Sequence, residues 1–225
     1  MWCVPAISAE FVKRMEDVLR LYARPLDPLE PVVCLDERPV VLRDAARPGA
    51  PMAPGRPTRT DYEYVRRGTA NIFCIVEPKT GRRLTHATAR RKNRNFGRAL
   101  HRISKAYPKA RRIHLVADNL STHSEKACCD AFGERRGRAL WKRFAVHYTP
   151  KHASWLNAAE MEASLVARQC LGRRRIPDLA TLRRDVRAWR RAATHEGCSI
   201  RWTFRVADAR GVFKYSALVF TRSEH

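Results

Sequence analysis

Two short apolar runs constrain this chain more than any other feature: VVCL at 32–35 and IHLVA at 113–117. Each is almost unbroken, and each stops on an acid, Asp36 in the first case and Asp118 in the second. A strand with one wet face alternates apolar and polar residues. A strand covered on both faces reads as a continuous apolar run instead. The two runs, expected as strands over 32–37 and 112–119, therefore ask for a central sheet with helices on both sides, an α/β arrangement.

The rest of the pattern fits that arrangement. Phe11, Met15, Val18 and Tyr22 recur at helical spacing and predict an amphipathic helix over 6–23, with Ser8 as its N-cap. RPLDPLEP, with three prolines, reads as a linker. Residues 43–60 are rich in Pro, Gly and Arg and read as an extended, mobile loop. Segments 69–78 and 82–89 flank KTG and read as a hairpin. Helices are expected over 95–108, 123–136, 156–171 and 178–196, and a strand over 143–150, ended by Pro150. This divides the chain into an N-terminal helix and linker (1–30), a main domain (31–196) and a tail (197–225) that contains IRWTF and VFKYSALVF. There is no internal repeat.

Charge narrows the function. Lys and Arg number 45 against 22 Asp and Glu, a formal net charge of +23. Such an excess repels itself unless an anionic partner shares the surface, and nucleic acid is the commonest such partner. A coding preference for Arg over Lys does not explain why acids are so few. The seven cysteines show no C-x-x-C spacing, which argues against a zinc ribbon or a disulfide framework and fits a reducing, cytoplasmic setting. No apolar stretch is long enough to span a bilayer, and the charged N-terminal segment does not read as a secretion signal.

Three carboxylates then stand out. Asp36 and Asp118 end buried strands, which deliver their C-terminal residues to one rim of a sheet. Glu160 lies at the start of the helix expected after the last strand. Acids gathered on one rim repel each other without a cation, and hard oxygen donors suit Mg²⁺ or Mn²⁺. Two such ions form the clamp used in phosphoryl transfer. Spacing leaves alternatives open. Glu37 competes with Asp36, because successive strand residues face opposite sides. Glu160 and Glu162 flank the buried stripe Ala159, Ala163, Val166 and Cys170, and Glu160 is also placed to close a capping box begun by Asn157.

VVCLDE, VADNLSTH and YTPKHASWLNAAE resemble the three acid motifs of the DDE transposases, in the mariner-like superfamily and its bacterial branch, insertion sequence family 630. DYEYVRRGTANIF, RQCLGRRRIPDLATL and RWTFRVADAR are also similar to segments of that family, so the likeness runs from about residue 30 to 213. The resemblance implies an α/β, RNase H-like domain with a central mixed five-stranded sheet flanked by helices. It also implies metal-dependent cutting and joining of DNA, with Asp36, Asp118 and Glu160 as the catalytic, metal-binding triad and two Mg²⁺ or Mn²⁺ ions as cofactor. Asn119 and His123 would be near-site residues rather than ligands. DNA ends and target would be the partners, in a synaptic complex of several copies, within the bacterial nucleoid.

The chain departs from the pattern in three places. It starts at WCVP, which resembles the boundary just after the family's helix-turn-helix region, so a catalytic half is expected, the alternative being a catalytically silent DNA-binding remnant or one subunit of a split transposase with a separately encoded helix-turn-helix half. The interval from Asp118 to Glu160 is long for the branch, with the excess expected in a loop at GERRGR (133–138). THEGCSIRWTF lacks the usual Asn-rich approach to its Trp-Thr-Phe segment. For phosphate contacts the candidates are Arg90, Arg91, Lys92 and Arg94 in one basic stretch, Lys151 and His152 beside the last strand, and Arg173, Arg174 and Arg175 near a helix end.

Overall fold

The structure is a computed structural model that describes residues 7–50, 52–57, 59, 61–120 and 122–215. Its elements in chain order are helix α1 (Ala9–Ala23), strands β1 (Val32–Ala45), β2 (Tyr64–Glu77) and β3 (Arg82–Thr88), helix α2 (Asn93–Ala106), strand β4 (Ile113–Ala117), helices α3 (Glu125–Phe132) and α4 (Glu134–Trp141), strand β5 (Phe144–Tyr148), and helices α5 (Ala159–Leu165), α6 (Leu179–His195) and α7 (Val206–Phe213).

The five strands form one mixed sheet in the order β3-β2-β1-β4-β5. β1, β2 and β3 pair antiparallel, while β4 joins β1 and β5 joins β4 in parallel. The parallel pairs set β4 beside β1 and β5 beside β4, all running the same way, so the C-terminal ends of β4 and β5 form a rim that lies level with the middle of β1, near Asp36. This is the RNase H-like sheet expected from the sequence.

Alternation along β1 divides the core. Val33 and Leu35 face α2, α3 and α4, where Phe96, Leu100, Ile103, Cys128 and Leu140 close over them. Cys34 and its neighbours Val76 and Val116 face the opposite side, covered by Met15, Val18 and Leu19 of α1 and by Leu156. Farther along that second face, Ile72 and Cys74 of β2 meet Val166, Leu182 and Val186. Ser8 caps α1 by accepting the Phe11 N–H at 3.1 Å, as its position predicts. Ile200, Trp202 and Phe204 from the tail, with α7, pack against the α1 layer.

Several local expectations are corrected. β1 and β2 are 14 residues each, far longer than the apolar runs suggest, and β1 absorbs residues 43–45 of the expected loop. Past Cys34, β1 pairs with β2 but no longer with β4, and such an edge position tolerates Pro39. The rest of the expected loop carries two isolated bridges, Ala50 with Arg59 and Ala53 with Arg56. The helix expected over 123–136 breaks at Gly133, whose φ of +78° only glycine adopts freely. The expected loop at 133–138 is instead mostly the first half of α4. Helix 156–171 is also composite: a 3₁₀ turn at Ser154–Leu156, then α5, then a π-helical turn at Val166–Leu171. VFKYSALVF lies partly outside the described residues. Among the described residues no helix is long and apolar enough to cross a membrane.

Candidate active site

The register of the sheet brings two acids level. Val32, Val33 and Cys34 sit opposite His114, Leu115 and Val116. Two residues on, at the same offset, come Asp36 and Asp118. Both lie on the side of the sheet occupied by Cys34 and Val116, because side chains alternate with period two. β4 ends at Ala117, so Asp118 begins the loop at the rim.

Glu160 reaches the same rim through a clamp. Asn157 is buried, and its side-chain amide donates to the carbonyl of Leu35 at 2.8 Å, next to Asp36 in the chain. Its side-chain oxygen accepts the Ala159 N–H at 3.1 Å. On the α1 side, the Tyr22 hydroxyl donates to the Leu156 carbonyl at 2.8 Å and accepts the Ala158 N–H at 3.2 Å. The start of α5 is thereby pinned against the end of β1. No capping box forms, and no described residue donates a hydrogen bond to the carboxylate of Glu160.

The surroundings of the two competing acids differ from those of Asp36 and Glu160. Glu162 is fully buried and paired with Arg83 at 3.0 Å, beneath the rim, so it has a structural partner. Burial raises its pKa, against the pull of Arg83. Glu37 points to the opposite face from Asp36, where it meets Arg91 at 3.1 Å and His123 at 3.4 Å. Asp36 and Glu160 are left as the acids that share a side with Asp118. Burial pushes the Asp36 carboxyl up to about 6, and the charges of Glu160, Asp118 and Glu37 push the same way, against the Glu37 N–H it accepts. The three carboxylates are thus close enough to feel one another.

Their donor chemistry fits a hard divalent ion. Among the described residues, however, no three His, Cys, Asp or Glu side chains close on one point as a bound metal requires. Two side chains are turned to other partners: Asp118 to His123 and Asp36 to the Glu37 backbone.

His123 is the residue that spacing undervalued. It is buried, stacks on Phe96 with ring centroids 4.2 Å apart, and reaches Asp118 Oδ1 at 2.7 Å from Nδ1. Burial opposes its charge, but hydrogen bonds to Asp118 and Glu37 prevail and lift its pKa to about 9. Tyr148 at the end of β5 donates to the His123 carbonyl at 2.6 Å and holds the loop. The only signal in the sequence was its place in the loop leaving the Asp118 strand.

The basic candidates separate into groups. Arg90, Arg91, Lys92 and Arg94 are exposed where β3 leads into α2, next to the rim. Lys151 and His152 line a hollow with Asn119 and Arg14, and His152 has a positive φ of 63°. Arg174 and Arg175 are committed within the protein: Arg174 bonds the Cys170 carbonyl and Asp185, and Arg175 the Asp61 carbonyl. Arg173 is exposed beside them.

The family model for DDE superfamily endonucleases matches residues 31–183. Among solved structures, the Mos1 mariner paired-end complex with Mn matches at TM-score 0.52 and 15% identity, over 85% of this chain and 58% of that one. The Mos1 transposase paired-end complex with the left transposon end matches at 0.54 and 14%, over 95% and 61%. A pre-cleavage Mos1 transpososome matches at 0.54 and 13%, over 85% and 58%. The chain therefore spans about three-fifths of the length of these relatives. No curated protein matches it in sequence. The family match covers most of the chain, including all three rim carboxylates, and the chain belongs to the DDE superfamily endonucleases.

Proposed function

We propose that this chain is the catalytic domain of a transposase of the bacterial insertion sequence family 630 type, cutting and joining DNA ends with Mg²⁺ or Mn²⁺ in the bacterial cytoplasm. The observation that carries the proposal is the pairing of β1 with β4, which sets Asp36 level with Asp118 at the end of β4, together with the bond from Asn157 to Leu35 that ties the start of the Glu160 helix to β1. Asp36, Asp118 and Glu160 would hold the metal, two ions being expected. Ions held there would supply activation of an attacking water or 3′-hydroxyl and charge neutralisation at the leaving oxygen.

The protein's own residues prepare that site. His123 fixes the direction of the Asp118 carboxylate through its 2.7 Å contact. Asn157 and Tyr22 hold the first turn of α5, so Glu160 needs little reordering to bind. The basic stretch at 90–94 offers charge for the phosphodiester backbone at the same rim. Mos1 structures contain Mn or Mg and paired transposon ends, which supports divalent metal and a synaptic assembly of more than one copy here.

The test is nicking of supercoiled DNA by the purified chain with Mg²⁺, beside Asp118→Asn. Nicking that needs Mg²⁺ and disappears in the variant is expected; equal nicking by both proteins overturns the assignment.

A further inference from the structure

Edge strand β3 is overhung by two rows of arginine. α2 carries Arg94, Arg98 and Arg102 at four-residue spacing, one stripe of its surface. α6 carries Arg183, Arg187 and Arg190 at i, i+4 and i+7, again one stripe. The two helices cover opposite faces of the sheet, α2 among the residues packed on Val33 and Leu35 and α6 among those packed on Ile72 and Cys74. They come together over the β3 edge, where two adjoining hollows of ≈ 380 and ≈ 370 Å³ share His86 and Arg183.

Both rows run away from the rim. Arg94 lies in the first turn of α2, next to Arg91 and its ion pair with Glu37. Arg183 bonds the Ala87 carbonyl near the end of β3, while the Ala193 carbonyl, farther down α6, meets Arg83 near the start. β3 thus climbs towards the rim as both helices descend from it. Along α2 each step of four residues advances about 6 Å, and the row covers about 12 Å. One strand of duplex DNA carries a phosphate every ~3.4 Å of axis, so the row matches roughly three to four base pairs.

None of these six arginines pairs with a carboxylate among the described residues, and no acid lines either hollow. Other arginines do find carboxylates, as Arg67 does with Asp44 and Arg138 with Glu134. A cleft with this much unmatched positive charge is held open for an external polyanion.

We infer that the cleft along β3 is a DNA track, continuous with the catalytic rim, that binds the backbone of the duplex flanking the reacting phosphate. The inference rests on the transposase reading for its choice of DNA. Its binding function is separate from the three carboxylates.

The experiment measures affinity for a short fluorescein-labelled duplex by anisotropy across a salt series, with no divalent metal. The full chain is compared with a triple variant, Arg98→Ala, Arg102→Ala and Arg187→Ala. All three side chains are exposed, and circular dichroism checks the fold. The slope of log affinity against log salt should fall in magnitude by about 2 to 3, because each phosphate contact contributes roughly 0.9. Replacing the same three residues by Lys should restore the slope, since phosphate accepts a point charge. An unchanged slope in the folded Ala variant overturns the track, as does a Lys variant that behaves like Ala. If Asp118→Asn nicks like wild type, the catalytic reading fails while the slope still decides the track.

Discussion

The side-chain amide of Asn157 donates to the carbonyl of Leu35 across 2.8 Å, tying the helix that carries Glu160 to the strand that carries Asp36. Asn157→Ala leaves the Leu35 carbonyl and the Ala159 N–H without their partner in a buried place. Each orphaned group costs about 1–3 kcal/mol. Urea denaturation should therefore show a loss of about 2–6 kcal/mol. Mg²⁺-dependent nicking per folded molecule should also fall, because α5 loses its anchor. Full activity in the folded fraction would show that the clamp does not position Glu160.

Glu160 and Glu162 stand two residues apart and should respond in opposite ways. Glu162→Gln strips the buried Arg83 of its counter-charge, and breaking such a pair costs about 3–5 kcal/mol. Glu160→Gln removes a charge that only repels Asp36, so stability should hold or rise slightly while nicking is lost. Thermal melts and nicking assays on the two variants read both axes. The pattern reversed, with Glu162→Gln stable and inactive, would move the third carboxylate to Glu162.

What the sequence shows of this site follows from burial. The runs before Asp36 and Asp118 are apolar because both faces of those strands are covered, so the strands and their acids are legible. Whether Glu160 or Glu162 faces the rim depends on which one Arg83 neutralises, a partner 79 residues away that helical spacing cannot reveal. α4 escapes notice because it buries little beyond Gly137 and Leu140, leaving GERRGR with no apolar period. The far halves of β1 and β2 escape notice for a similar reason, since Arg38, Pro39, Arg66 and Arg67 interrupt any alternation. His123 earns its place only from the tertiary contacts with Phe96, Asp118 and Glu37.

Gly97 sits inside α2, where alanine would ordinarily be preferred by about 0.5–1 kcal/mol. Here a Cβ would fall 2.4 Å from the Ala127 carbonyl oxygen of α3. Overpacking of that kind costs about 1–3 kcal/mol and should outweigh the gain in helix propensity. Gly97→Ala should lower the melting temperature by a few degrees, at about 2–4 °C per kcal/mol for a chain of this size. α3 follows the His123 loop directly, so nicking should weaken as well. A variant that melts at or above wild type would mean that α2 and α3 can part without cost.

His86 reports on the β3 cleft. Burial holds its pKa down to about 4, and the arginine charges of Arg102 and Arg98 on α2 and Arg183 on α6 add to that effect. An unfolded chain binds the same proton near pH 6.5. Between those values the unfolded state is protonated and the folded state is not, so stability falls as pH drops from about 6.5 towards 4 and is fully present above that window. His86→Gln should flatten this part of the stability profile in urea denaturation across the pH range. Duplex DNA in the cleft would offset the arginine charge and raise the His86 pKa, which an NMR titration of the ring reads with and without DNA. An ordinary pKa in the free protein would refute the crowding of charge around His86, and a pKa unmoved by saturating DNA would mean that the duplex passes elsewhere.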